Sequence, residues 1–230
     1  MEKNNSERTN AIIHKDNSLN RLDLSFIKHI DKEEFKKNEL LAYWIHDFAV
    51  YHDEEPNFDT SRIRTFKRGD IVKANLGFNI GNELGGLHYC IVLDKYDNPK
   101  NGSLNVIPLT SKKANKKYGK SAVNLGKELY NILNKNIEIE NEKLNKLLEK
   151  LQIFKEVPEN VQNVIKDEIK YIEKMRIEIN KMKQDSIALI NQITTISKQR
   201  LYDDIIWRKI RLSNDSLNLV DSYIIRFFTK

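Results

Sequence analysis

What the chain has little of sets the first limits. Cys90 is its single cysteine, so no disulfide can form within one chain, and a reducing compartment suits it. No apolar run approaches the roughly 20 residues needed to span a bilayer, and the opening MEKNNSERTN has no apolar core of a secretion signal. A cytoplasmic location without membrane attachment is the expectation. His14, His29, His46 and His52 have no metal-ligand spacing with the one cysteine or with acidic residues, and phosphate-binding loops, dinucleotide fingerprints and serine or cysteine triad motifs are missing. No metal and no cofactor is therefore expected. Neither charge sign dominates: 39 Lys and Arg face 33 Asp and Glu, a net charge of +6 spread along the chain. That permits an anionic partner without demanding one.

Glycine is the other scarce residue, and its placement is informative. Several of the 8 glycines crowd between Gly69 and Gly86, and none follows Gly126. Around the crowded part, Asp70–Leu76, Leu87–Asp94 and Leu104–Leu109 read as strands, the second buried on both faces. Gly77–Gly86 is a polar loop between two of them, unsuited to a core and suited to a flap. Tyr96–Ser103 holds a dense turn signal, Ser111–Lys120 is a basic loop, and Ser121–Leu125 is a short strand.

The glycine-free stretch from about Glu128 to Lys183 has another period. Ile137, Leu144 and Leu151 recur at seven with Leu147 and Phe154 beside them; Ile165, Ile172 and Ile179 recur at seven with Val161, Met175 and Met182. This is an antiparallel coiled-coil hairpin turning near Pro158, with Glu168 as a polar flaw in its seam. Beyond it, Ser186–Ile190 and Gln192–Ile196 read as strands, Ser197–Arg211 as a helix and Asn214–Phe228 as a final helix capped by Ser213 or Asn214. Upstream, Met1–Ser18 is polar enough to be disordered. Leu19–Ile30 and Lys32–Tyr51 are helical, with Asp31 and Glu34 as a capping box and Trp44 and Tyr43 as packing residues. The expected organisation is disorder over 1–18, a helical extension over 19–60, a β-rich core made of 61–127 and 184–230, and an inserted hairpin over 128–183. The fold class is α+β.

The residues suited to chemistry gather beside the flap. An RNA strand can be cut without metal when its own 2′-OH attacks the adjacent phosphate; the protein then supplies a base, an acid and donors to the charged phosphorane. His88 is of the residue type whose side chain can serve as acid or base, and Thr110, Ser111 and Lys112 can donate to phosphate oxygens. Lys112, Lys113, Lys116 and Lys117 make the loop after Thr110 basic. Spacing alone does not bring these residues together.

RGDIV, NIGNELGG, HYCIVL and PLTSK, together with the distant DSIALINQITTISKQRL, resemble the MazF/PemK toxins, the endoribonucleases of type II toxin–antitoxin pairs. The resemblance implies a small, strongly curved SH3-like β-barrel that dimerises, single-stranded RNA as substrate, and a cognate antitoxin whose tail lies in the substrate groove. It implies His88 and Thr110 as the catalytic pair, with Asn79, Glu83, Ser111, Lys112 and Lys113 around bound RNA. One position departs from the pattern: the family has Gly-Gly-x-Arg-Pro where this chain reads Gly85-Gly86-Leu87-His88-Tyr89. An imidazole stands where the family carries a guanidinium, losing a permanent charge and five donors. The alternative keeps the fold and removes the catalysis, leaving a binding module. A third reading makes the hairpin an arm for oligomerisation or a partner.

Overall fold

The computed structural model describes residues 2–151, 158–181, 185–202 and 210–229. The chain divides into two compact units, Met1–Pro56 and Asn57–Lys230.

The first unit is two helices, α1 (Glu2–Asp31) and α2 (Phe35–Glu54). The helix α1 runs straight through the polar stretch for which the sequence argues disorder. Nothing between Glu2 and Asp31 is Gly or Pro, and Thr9, Ser18 and Ser25 each return their hydroxyl to the carbonyl one turn back. The expected capping box is absent. Asp31 closes α1, Glu33 takes φ 56° to turn the chain, and the N-cap Glu34 directs its carboxylate to His29 Nδ1 (2.6 Å) rather than to the backbone. Trp44 stacks at 5.8 Å on Phe48 and 6.4 Å on Tyr51, the packing role expected of it, while Tyr43 stays exposed and donates to Glu39.

The second unit carries an antiparallel sheet of seven strands: β1 (Ile71–Asn75), β2 (Leu87–Val92), β3 (Ser103–Ser111), β4 (Ala122–Asn124), β5 (Ser186–Leu189), β6 (Thr194–Ser197) and β7 (Leu201–Tyr202). The order is β4-β5-β3-β2-β1-β7, with β6 on the first half of β3. The strand β3 organises the sheet. Its first residues pair with β6 (Ser103↔Ser197 to Val106↔Thr194), its last with β5 (Leu109↔Ala188 to Ser111↔Ser186), and its other edge with β2. Among the described residues the path ends at β4 and β7 without closing, so the described strands do not complete the barrel that the resemblance implies.

Alternation along the strands sorts two cores. Val72, Ala74, Cys90, Val92, Leu104, Val106 and Ile196 share one face, with Phe66 and Leu76. Ile71, Ile91, Ile107 and Leu109 share the other, covered by α3 (Glu128–Leu151), α4 (Glu159–Lys181) and α5 (Asn214–Phe228). Leu133, Ile137, Ile172, Met175 and Ile179 from the two heptad rows are buried there. Pro158 precedes α4, and its carbonyl accepts from Val161 and Gln162 N–H. Phe154 and Met182 of the expected seam lie outside the described residues.

The expected helix over Ser197–Arg211 is not formed where the chain is described. Lys198–Arg200 is one 3₁₀ turn and Leu201–Tyr202 pairs with β1, while 203–209 lie outside the described residues. The reason is Lys198: its ammonium is fully buried against the Asp97 carboxylate at 2.7 and 2.9 Å, which pins the backbone to the 94–102 turn. Ser213 caps α5 by accepting from Ser216 N–H.

Candidate active site

The site begins where β2 and β3 part. Their ladder runs Val92↔Val106, Ile91↔Ile107, Cys90↔Pro108 and stops. The backbone of Pro108 faces the other edge of β3, between its β6 and β5 partners, because Leu93 N–H on Asn105 O turns the odd-numbered residues toward β2. Beyond Pro108 the strand β3 pairs on its other edge with β5, while β2 stays with β1. Continuing the register by two residues sets His88 opposite Thr110. Both fall on the alternation of Cys90 and Val106, so both lie on the face away from the helices. The half-buried His88 ring fills the gap: Nδ1–H donates to Leu109 O at 2.9 Å. A carbonyl only accepts, so Nδ1 holds a proton, and it is Nε2 that carries the lone pair whenever the ring is neutral.

The flap rises from the same place. Its neck is closed by Leu76 N–H on Gly86 O (2.8 Å) and Gly86 N–H on Gly77 O (2.6 Å). Gly77 and Gly86 both have φ 88°, a region open to glycine. At Gly85 a Cβ would stand 2.5 Å from Gly77 O, so the neck has no room for a side chain. Asn79 and Glu83 brace the loop from within. Asn79 Nδ2 donates to Leu84 O (2.8 Å), and Glu83 Oε2 accepts from Ile80 N–H (3.4 Å). Gln192, between β5 and β6, clamps the flap from below through Leu84 N–H (2.9 Å) and Asn82 O (3.3 Å). Sequence reasoning missed Gln192, whose partners lie more than a hundred residues away.

The basic loop after β3 is held as well. Tyr118 OH accepts from Lys113 N–H (3.0 Å) and donates to Ser111 O (3.1 Å). Two expected phosphate donors have neighbours of their own. Lys112 Nζ lies 3.3 Å from Asp185 Oδ2, an ion pair that ties the loop to the start of β5. Strand alternation directs Ser111 to the opposite face of β3 from Thr110. Lys113 keeps an exposed side chain beside the site. Extension of the register thus sets His88 across from Thr110, with the flap joined to β2 just before His88 and Lys113 following Thr110 in the chain. Arg200 Nε donates to Asn75 O at 2.8 Å and so supports the end of β1 below the flap.

Cys90 follows two residues after His88 on the same face. It is fully buried, and loss of water around it pushes its thiol up to about 12, which makes it inert as a nucleophile. Among the described residues no group of three or more His, Cys, Asp or Glu could hold a metal ion, and no helix is long and apolar enough to cross a membrane.

Residues 67–167 match the family model described as the PemK-like, MazF-like toxin of type II toxin-antitoxin systems. That range holds the flap, His88, Thr110, the basic loop, α3 and the start of α4, and stops short of the DSIALINQITTISKQRL segment. No curated protein matches the chain.

Proposed function

From a chain whose residues 67–167 are a MazF/PemK-family toxin segment, we infer a toxin that cuts single-stranded RNA as a metal-independent endoribonuclease. One observation carries this reading: the His88 ring is held through Nδ1–H on Leu109 O, the residue before Thr110 near the end of β3. In the reaction Nε2 takes the proton of a ribose 2′-OH. The 2′-oxygen attacks the adjacent phosphorus, the bond from phosphorus to the 5′-oxygen breaks, and water protonates the departing 5′-oxygen. The products are a 2′,3′-cyclic phosphate and a 5′-OH end. The Thr110 hydroxyl donates to a non-bridging oxygen as negative charge grows there. Lys113 supplies the nearby positive charge, and Asn79 and Glu83 act by shaping the flap that covers the strand.

The family implies an antitoxin partner. We place its contact at the same site, and assign the chain to the cytoplasm as a homodimer. One observation favours the second reading, a binding module: with Lys112 held by Asp185, the phosphate cradle has fewer free cations than the sequence promised.

The test is direct. Purified wild type and His88→Ala are incubated with a long single-stranded RNA in EDTA, and the ends are mapped. Discrete cuts bearing cyclic phosphate, lost in the variant, are the expected result. With Nε2 as base, the wild-type rate falls on acidification, because protonation fills the lone pair. An inert wild type over many RNAs, or cuts unchanged by His88→Ala, would overturn the assignment.

A further inference from the structure

The segment Leu87–Tyr89 of β2 pairs with Asn75–Lys73 of β1 (Ala74↔His88, Lys73↔Tyr89). On its other edge the ladder to β3 has already stopped at Cys90↔Pro108. Side chains help to hold this strand end. One is the His88 ring on Leu109 O. Another lies on the opposite face: Tyr89 OH donates to Glu178 Oε2, a carboxylate on α4 that is only 7% exposed. Lys73, the register partner of Tyr89, sets its ammonium 3.6 Å from Glu178 Oε1 and 5.4 Å over the Tyr89 ring.

A buried carboxylate is costly unless its oxygens are satisfied, and both Glu178 oxygens meet a donor. The neighbours Met175 and Ile179 are buried on the same helix face, so α4 is seated against the sheet and Glu178 is fixed with it. The helix therefore reaches the peptide next to His88 through one side chain. Resting on the nuclease reading above, we propose that Glu178 is a positioning residue. Through Tyr89 it sets the end of β2 so that the His88 ring keeps its bond to Leu109 O and presents Nε2 to the RNA. The helical hairpin is on this account part of the active-site framework rather than an arm that leaves it.

Two readouts are taken on the full chain: kcat and KM for RNA cleavage, and the ¹⁵N signals of the His88 ring, which report its tautomer without any substrate. Tyr89→Phe and Glu178→Ala each lower kcat about tenfold with KM within about twofold, and the double variant falls no further than either single, as expected for groups acting as one unit. Glu178→Gln, whose amide oxygen still accepts from Tyr89 OH, recovers most of the rate. The ring signals move from the Nδ1–H form toward an average of both tautomers in Tyr89→Phe and Glu178→Ala only. Glu128→Gln, which disturbs the Ser213 and Ser216 contacts at the start of α5, controls for general loss of stability and leaves the ring signals unchanged. If Glu178→Gln is as poor as Glu178→Ala, or if Glu178→Ala leaves both kcat and the ring signals at wild-type values, the positioning role is wrong. An inert wild type whose ring signals still respond to Tyr89→Phe and Glu178→Ala sinks the nuclease reading alone.

Discussion

Gly85→Ala is the sharpest probe of the flap. The added methyl carbon would stand 2.5 Å from Gly77 O and 3.2 Å from Asn79 N, both backbone atoms that cannot rotate away. Relief to an ordinary contact of about 3.4 Å needs the two sides of the neck to part by roughly 1 Å. The bond between Gly86 N–H and Gly77 O, now 2.6 Å, lies in that path and breaks. Loss of one backbone bond with partial exposure costs on the order of 1–2 kcal/mol, too little to unfold a unit of this size. The catalytic effect is larger, because Gly86 leads directly into Leu87 and His88, and a displacement of about 1 Å at a reacting group costs roughly a hundredfold in rate. Gly81→Ala is the comparison. It has open space around the new carbon and only the strain of φ 62°, at the far end of the flap from His88. RNA cleavage and amide hydrogen exchange are measured on both. The expected outcome is a Gly85→Ala protein with its melting transition nearly intact, fast exchange at Gly86, and about a hundredfold lower kcat, beside a Gly81→Ala protein within about threefold of wild type. A Gly85→Ala enzyme with unchanged exchange at Gly86 and unchanged rate would refute the idea that the neck sets His88.

Three further outcomes follow from buried or crowded groups. Lys198→Met leaves the Asp97 carboxylate buried without its cation and costs about 3–5 kcal/mol; adding Asp97→Asn recovers a large part, and chemical denaturation of the four proteins of the cycle checks both figures. Burial, then the Glu140 carboxylate, raises the proton affinity of Glu168 in the hairpin. Its contribution to stability is thus fully present below the ordinary carboxylate value of 4.5 and is lost as pH rises through the higher folded value. Glu168→Gln should therefore stabilise the protein by about 0.5 kcal/mol at pH 7 and make no difference at pH 3.5, read from melts at both; a variant less stable at pH 7 would contradict the sign. Cys90, pushed up to about 12 by burial, should react with a thiol reagent only as fast as the protein opens, and labelling that outpaces hydrogen exchange at its own amide would show the site to be accessible.

Much of the fold can be read from local pattern, because its determinants are local. Alternation at Ile71–Asn75 and Leu104–Leu109, glycine density at the flap, heptads in α3 and α4, and Pro158 before α4 each act within a few residues. The His88–Thr110 site is half legible. A family likeness pairs the two residues, but where the β2–β3 ladder stops is visible only in the register of the sheet. What stays hidden in the sequence depends on distant partners. Lys198 looks like a surface cation until Asp97 is seen beneath it, and the same turn of chain then forms no helix. Gln192 and Glu178 sit in polar surroundings in the sequence and act on a loop and a strand roughly a hundred residues earlier. Lys112 and Ser111 adjoin Thr110 in the sequence, whereas strand alternation and the Lys112–Asp185 ion pair depend on the folded sheet.

The three partners of β3 also impose an order of events during synthesis. The strand leaves the ribosome early, yet its edges toward β5 and β6 stay empty until Ser186–Ser197 has followed. The whole of Lys112–Asp185, both arms of the hairpin included, must be made first, which takes about 4–15 s at roughly 5–20 residues per second. A nascent chain cut short anywhere in the hairpin thus carries His88 and Thr110 without the strand that holds Thr110 in place. On the nuclease reading proposed above, such a fragment would lack a finished site.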